Sequence, residues 1–383
     1  MALHFTQKEF DERMERLKTA MADENLDAML LFSQESMYWL TGYDTFGFCF
    51  FQCLVVTSEG ELALLTRAPD LRQARHTSII DNIIIWTDRE DADPTLDLHD
   101  LMGELDLVGS RIGVEYDTAG LNAKYGSLLN ERLKNFGEIS DASLLIPGLR
   151  AVKSKAELAH VRKAATLADD ALDEAIRLAK AGADEGDILA AMHSAIFSAG
   201  GDYPGNEFII GSGKDALLCR YKSGRRKLSK NDQLTLEWAG VWAHYHAAMM
   251  RTLIIGKPTT RHQELYEVAR EALEQCRDAM KIDQPISEIF DAHARVLDDA
   301  GLARHRLNAC GYSIGASFSP CWMDKPMIYA GNTQLIEPNM VLFLHMIIAD
   351  SESDTAMTLG QSYITGTNGP KELSRHEIDL IVR

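Results

Sequence analysis

The sequence QLTLEWA from Gln233 to Ala239, followed by YHAAMMRTLII from Tyr245 to Ile255, predicts two long strands in the second half of the chain. Both are apolar runs of the kind that buried strands carry. Further strands are predicted at Phe208–Gly211, Val341–Ile348 and Ala356–Thr365, and helices at Gln263–Met280 and Ile286–Ala300. Long, antiparallel-looking strands with covering helices predict an α+β fold for this part.

The first third of the chain has a different pattern, in which helical and strand segments alternate. A helix is predicted at Gln7–Met21. It is followed by apolar runs at Ala28–Phe32, Phe50–Thr57, Leu62–Thr66, Ile83–Thr87 and Arg111–Tyr116. This alternation predicts an α/β domain.

The change from one secondary-structure pattern to the other predicts a domain boundary near residue 152. The pattern breaks at Pro147 and Gly148, and Ser154 and Glu157 then take the spacing of a capping box ahead of a long amphipathic helix. Gly182 is the expected C-cap glycine of that helix. The predicted domains are residues 1–152 and 153–383.

Composition limits the classes of function. The 383 residues are 46% hydrophobic and carry a net charge of −18, with no basic stripe, so we expect a globular protein that does not bind nucleic acid. The six cysteines form no CxxC pair, which argues against disulfides or a structural zinc site and favours a reducing compartment. The charged, amphipathic N-terminus is unlike a signal peptide or membrane span, so we expect a cytoplasmic protein with no membrane partner.

Five short motifs in one order carry a family resemblance across essentially the whole chain. They are Leu149–Ser154, Ser212–Asp232, Arg251-Thr252, Gly311–Gly315 and Glu337–Val341. Together they resemble the creatinase/aminopeptidase P/prolidase ("pita-bread") superfamily. The resemblance implies a creatinase-type α/β N-terminal domain, an α+β pita-bread catalytic domain and a homodimer.

The metal-dependent members of this superfamily bind two metals through two Asp, one His and two Glu. The positions of this sequence that match hold Glu237, Ala248, Tyr312, His345 and Gly360. Alanine and glycine offer no side-chain ligand, so we expect no metal and no other cofactor. A single weakly bound ion, held by Glu237 and His345, remains an alternative.

The metal-free relatives provide a second template. The position of the catalytic His of creatinase holds Arg220, and one of its active-site Glu positions holds Met250, which disfavours creatine as the substrate. Ectoine hydrolase opens a cyclic amidine and, in the family's picture, uses a Glu near the position of Glu237. The resemblance therefore makes Glu237 the expected catalytic carboxylate.

Strand parity gives an argument that does not depend on the family, because residues two apart on a strand share a face. If Ala248 faces a cavity, His244 and His246 face it too, and His345 comes from a neighbouring strand. The predicted catalytic residues are therefore Glu237, His246, His244 and His345, with imidazoles that shuttle protons near neutrality.

Arg220 is expected to clamp a substrate carboxylate, helped by Lys222, while Tyr312 and Ser319 complete the substrate-binding set. A small zwitterionic substrate follows from this set. The alternatives are that His244 or His246 is a core histidine, that Tyr312 only packs, and that Arg220 neutralises Glu237 as a structural partner.

An aromatic segment in the first domain supplies further candidates. Tyr43, Phe46 and Phe48 are expected to form a lid over the catalytic pocket of a partner subunit, as the corresponding region does in dimeric relatives. Core or dimer packing is the alternative for Phe48 in particular.

Three functions compete at this point. The first is a metal-independent hydrolase of a C–N bond in a small zwitterionic nitrogen compound, with ectoine or hydroxyectoine as the best guess. The second is a metal-dependent Xaa-Pro peptidase, and the third is an inactive binding protein on the same fold.

Overall fold

The computed structural model describes residues 3–220 and 225–383. The chain divides into two compact units, Met1–Arg150 and Ala151–Arg383. The division falls at the end of a short helix, Leu145–Ala151, where the sequence pattern placed a boundary near residue 152. No helix within the described residues is long and apolar enough to cross a bilayer.

The first unit is a mixed six-stranded sheet with helices. Its strands are β1 (Ala28–Leu31), β2 (Cys53–Thr57), β3 (Leu62–Arg67), β4 (Asn82–Trp86), β5 (Arg111–Val114) and β6 (Glu138–Asp141). Its helices are α1 (Gln7–Asp23), α2 (Gln34–Thr41), α3 (Leu71–Thr77), α4 (Pro94–Glu104), α5 (Ala123–Leu133) and α6 (Leu145–Ala151). The strand order is β4-β3-β2-β1-β5-β6, in which β1 runs parallel to β5 and antiparallel to β2.

Both faces of this sheet are buried. Ala28 and Leu30 of β1 belong to one apolar cluster, whereas Met29 and Leu31 belong to a second cluster on the opposite face. Successive side chains of a strand point to opposite faces, so one short strand contributes to two apolar clusters. The predicted α/β domain is confirmed.

The second unit contains a nine-stranded sheet whose strands are mainly antiparallel. They are β7 (Ile209–Ser212), β8 (Asp232–Trp242), β9 (Tyr245–Ile255), β10 (Ala309–Ser313), β11 (Asp324–Tyr329), β12 (Val341–Asp350), β13 (Thr355–Ile364), β14 (Lys371–Glu372) and β15 (Ile381–Val382). The helices are α7 (Lys155–Leu178), α8 (Glu185–Ser198), α9 (Thr260–Ala279) and α10 (Ser287–Asp299). The sheet order β11-β10-β12-β13-β9-β8-β7 confirms the predicted α+β fold.

Helix α7 begins where the sequence predicts. The Ser154 side chain accepts from the backbone N–H of Glu157, and the Glu157 carboxylate accepts in return from the backbone N–H of Ser154. The predicted end was wrong, since the helix ends at Leu178 with Ala179 as its C-cap. Gly182 has a positive φ of 86°, but in the connection beyond the helix.

The helices of the second unit cover one face of its sheet. Trp238 of β8 donates from Nε1 to the carbonyl of Ala168 in α7 at 2.8 Å. Helices α9 and α10 pack against β10 and β12 in one continuous apolar core. The alternate residues of these strands therefore point away from the helices, and they supply the side chains of the candidate site.

Candidate active site

Glu237 lies on the strand face that points away from helix α7. In the β8–β9 pair it is directly opposite Met250, while Ala248 is opposite Ala239 and His246 is opposite Val241. Directly opposed residues of an antiparallel pair share a face. Glu237 and His246 therefore share a face, as parity predicted.

The strand register shows which residues in the other half of the sheet lie on the same face as Glu237. Met250 of β9 is opposite Gly360 of β13, which is in turn opposite His345 of β12. Tyr312 of β10 is opposite Phe343, two residues before His345. Glu237, His345 and Tyr312 therefore lie on one face of the sheet although they come from three separate strands.

The carboxyl group of Glu237 is the unusual feature of this face. Its side chain is 7% exposed. Burial raises the pKa of Glu237 to about 7, against the opposing influence of the Arg220 charge and of a hydrogen bond from Tyr312. A carboxyl group that titrates near neutrality is suited to take a proton from water and to return it.

Tyr312 links Glu237 to a second aromatic residue. The Nε1–H of Trp322 donates to the Tyr312 hydroxyl at 2.9 Å, and that hydroxyl donates in turn to the Glu237 carboxylate. Because the indole N–H can only donate, it fixes the direction of the tyrosine proton. Tyr312 is thus more than a packing residue. Sequence reasoning missed Trp322, for which no motif provides a signal.

A cavity of about 350 Å³ opens beside this face. Its walls are Asn206, Glu207, Phe208, Ile209, Arg220, Ser319, Pro320 and Cys321. Ile209, which lines the cavity, is directly opposite Glu237 of β8, although Glu237 itself is not one of the lining residues. Arg220 and Ser319 of the predicted substrate-binding set both line the cavity, whereas Lys222 lies outside the described residues.

Arg220 is exposed at this cavity and acts on the site through its charge. The charge lowers the pKa of Glu237 without a direct hydrogen bond, and it opposes protonation of His345. Arg220 is therefore positioned to meet an anionic group that enters the cavity.

The structure corrects the predicted role of His246 as a proton carrier. Its Nε2 accepts from the backbone N–H of Gly205 at 2.8 Å, and its Nδ1–H donates to the carbonyl of His244 at 2.7 Å. Burial lowers the pKa of His246 to about 4. Both ring nitrogens are used to hold the backbone, so His246 is a structural core histidine.

Strand parity does not extend to His244. Ala243 and His244 form the turn between β8 and β9 with positive φ values of 50° and 62°. The imidazole of His244 stacks on Phe318 with ring centroids 4.2 Å apart. A turn residue follows no strand alternation, so the prediction that His244 faces the cavity through parity was wrong.

His345 lies on the same face of the sheet as Glu237, but its ring does not act as an acid or base near neutrality. Burial lowers its pKa to about 3, so the ring is neutral. Within residues 3–220 and 225–383, no group forms a hydrogen bond with its buried Nδ1. A buried polar atom without a partner is costly, and a polar group of a substrate would satisfy it.

The aromatic residues of the first unit divide into two groups. Tyr43 is fully buried, and its hydroxyl donates to Gln52 at 3.3 Å, so the structure corrects its assignment to a lid over substrate. Phe48 is buried as well, which agrees with the alternative that it packs in the core. Phe46 is 78% exposed, and its role at a homodimer interface stays a prediction.

The site residues do not fit the two-metal centre that the resemblance implies. Ala248 and Gly360 provide no ligand atom, and the Tyr312 hydroxyl is held by Trp322 and Glu237. A Cβ added at Gly360 would lie 2.8 Å from Cζ of Phe343 and 2.9 Å from Cβ of Met250. A carboxylate side chain at position 360 would therefore have to displace its neighbours.

Comparison with known proteins gives matches to both units. The profile of metallopeptidase family M24 matches residues 159–370, and that of the Creatinase/Prolidase N-terminal domain matches residues 13–152. Ectoine hydrolase of Halomonas elongata is 25% identical, across 100% of this chain and 99% of that protein. Xaa-Pro dipeptidase of Pyrococcus furiosus is 21% identical, across 97% and 99% respectively. The prolidase structure from Thermococcus sibiricus has a TM-score of 0.87 at 17% identity and covers 98% of this chain and 99% of that one.

Proposed function

Since the chain belongs to metallopeptidase family M24 and is a hydrolase of that family, we propose that it hydrolyses a C–N bond in a small zwitterionic nitrogen compound without a metal. An ectoine-type cyclic amidine is the best candidate substrate. The observation that carries the proposal is the buried Glu237 carboxyl group, which titrates near neutrality beside a cavity with a fixed positive charge.

The geometry supports a mechanism in which Glu237 is the general base. Ionised Glu237 takes a proton from a water molecule as the water oxygen bonds to the amidine carbon. The carboxyl group then gives that proton to the ring nitrogen as the C–N bond breaks, and the proton of the added hydroxyl passes to the released amine, which leaves an open-chain amide and an ammonium group. Tyr312 holds the carboxylate in place during both transfers.

Arg220 and His345 bind the substrate in this proposal. The guanidinium of Arg220 pairs with the substrate carboxylate through two parallel hydrogen bonds. The neutral ring of His345 donates to or accepts from a ring substituent through its buried Nδ1. Both residues orient the amidine carbon toward the water next to Glu237.

The proposed mechanism has no step at a metal ion, because the side chains at the family's metal-ligand positions do not suit one. Positions 248 and 360 lack donors, and the Glu237 carboxylate is engaged by Tyr312. The similarity to Xaa-Pro dipeptidase keeps a peptidase as the second candidate. A pocket that binds without turnover is the third, because binding needs the same polar groups.

Thermal unfolding with a panel of ligands tests the substrate class. We expect ectoine or hydroxyectoine at about 100 times its Kd to stabilise the protein by about 2.7 kcal/mol, since only the folded state binds it. The same shift is expected after dialysis against chelator. Stabilisation by Xaa-Pro dipeptides that requires added Mn²⁺ would favour the peptidase, and binding without product formation would favour the binding protein.

The pH dependence of kcat/KM tests the role of Glu237 as a base. We expect kcat/KM to rise with pH through about 7 and then to level off, because the carboxyl group must lose its proton to act. His246 and His345, with pKa values of about 4 and 3, add no step near neutrality. Arg220→Met should move the midpoint to higher pH, since it removes a charge that lowers the Glu237 pKa. A flat profile across neutrality would exclude this base.

A further inference from the structure

Three ligand-type side chains meet inside the second unit, away from the candidate active site. They are Cys276 of α9, His293 of α10 and Cys310 of β10. One potential ligand atom from each lies within 4.8 Å of the other two. All three side chains are buried, and His293 is only 1% exposed.

The position of Cys310 depends on a local irregularity of the sheet. The register between β10 and β11 shifts between Ala309 and Gly311, which is a bulge at Cys310. A bulge changes the direction of a side chain relative to regular alternation. Cys310 consequently packs with Cys276 in the core beneath helices α9 and α10, whereas Tyr312 faces Glu237 on the other side.

The imidazole of His293 is incompletely satisfied where it lies. Within the described part of the chain its buried Nε2 has no hydrogen-bond partner. Its Nδ1 lies 3.2 Å from Sδ of Met346, which can accept only a weak hydrogen bond. The backbone of Leu307 also interacts with the ring. A metal ion would satisfy the nitrogen that has no partner.

The donor set is specific for a class of cation. Two cysteine sulfurs, an imidazole and the nearby thioether of Met346 are soft or borderline ligands. Such ligands suit zinc and related cations, whereas Mg²⁺, Ca²⁺ and Mn²⁺ prefer oxygen. A divalent cation with two thiolates and one neutral imidazole has no net charge, so the assembled group is compatible with an apolar core.

We infer that Cys276, His293 and Cys310 bind one Zn²⁺ ion as a structural site. Binding releases the two thiol protons, including the one that the Cys276 thiol donates to the carbonyl of Ile289 at 3.4 Å. Burial raises the pKa of the Cys310 thiol, against the opposing charge of Arg306, which is itself paired with Asp298 at 2.6 Å.

The ion would connect three elements that pack together in one apolar core. Helix α9, helix α10 and strand β10 each contribute one ligand. Zinc binding would therefore add to the stability of the core that supports β10, and with it Tyr312. This role is independent of the proposed hydrolysis.

Cobalt substitution tests the site directly in the full chain. Protein refolded with one equivalent of Co²⁺ should show sulfur-to-metal charge-transfer absorption and the intense visible bands of a tetrahedral centre, and protein made with Zn²⁺ should retain one ion per chain. Cys310→Ser should lower the Zn²⁺ affinity about 10-fold or more and reduce the sulfur band to roughly half, because Cys276 still contributes one thiolate. Cys53→Ser, at a buried cysteine of the first unit, is the matched control and should keep both.

The spectrum of the unmodified protein decides the case even if Cys310→Ser does not fold. A Co²⁺ complex without a sulfur band would overturn the inference, as would retention of less than a tenth of an equivalent of Zn²⁺. Equal loss of the band in Cys53→Ser would place the metal elsewhere and also overturn it. Glu237→Gln should leave the band unchanged, which separates this site from the proposed hydrolase function.

Discussion

Glu237→Gln is expected to lower the turnover number on an ectoine-type substrate by about 100-fold or more, with little change in substrate binding. The amide keeps the size of the side chain and can still accept a hydrogen bond from Tyr312. It cannot take a proton from water, which is the step assigned to the carboxylate. Steady-state kinetics and the ligand-induced shift in unfolding temperature measure the two effects separately.

Variants at Arg220 provide the matched comparison, because Arg220 is assigned to substrate binding and not to proton transfer. Arg220→Met should weaken binding of the zwitterion more than it lowers the turnover number, because it removes the pairing with a carboxylate. Arg220→Lys should recover part of that binding through its charge alone. A normal turnover number in Glu237→Gln would rule out the mechanism whatever the result at Arg220.

The sequence was sufficient for the fold because its local signals agree with one another. The capping box of Ser154 and Glu157 marks the start of α7, and the two apolar runs on either side of Ala243 become β8 and β9. Their antiparallel register then sets which residues share a face with Glu237. Patterns with a period of two or 3.6 residues are strong signals when they extend over a whole element.

The site was only partly predictable, since alternation says which way a side chain points but not what it meets. Parity placed His246 on the correct face, yet the backbone groups that use both of its nitrogens come from Gly205 and from the turn at His244. Trp322, which orients Tyr312, lies in an irregular segment that has no periodic pattern. Such partners depend on tertiary contacts that a single sequence does not contain.

The cysteines illustrate the same limit. Irregular spacing of the six cysteines argued against a zinc site, because structural zinc ligands usually come in close pairs along the chain. Cys276 and Cys310 belong to different elements and approach each other only after α9 packs against β10. The bulge that turns Cys310 inward has no sequence signal of its own.

Gly240 determines how closely helix α7 packs on the sheet beneath the site. It lies on β8 two residues after Trp238, on the helix-covered face. A Cβ at this position would lie 2.0 Å from the carbonyl oxygen of Ala164 and 2.4 Å from the backbone nitrogen of Ala168. Both are backbone atoms of one helix, so the clash cannot be removed by a change of rotamer.

Gly240→Ala is therefore expected to destabilise the protein by about 3 kcal/mol or more, at the upper end of the cost of overpacking a core. Urea unfolding followed by tryptophan fluorescence measures this loss, since Trp238 is buried in the affected contact. Gly103→Ala is the control, because Gly103 lies in α4 with open space around its added Cβ, and it should stabilise by about 0.5–1 kcal/mol. An unchanged midpoint for Gly240→Ala would contradict the close approach of α7 to β8, because only a shift of the helix backbone can make room for the methyl group.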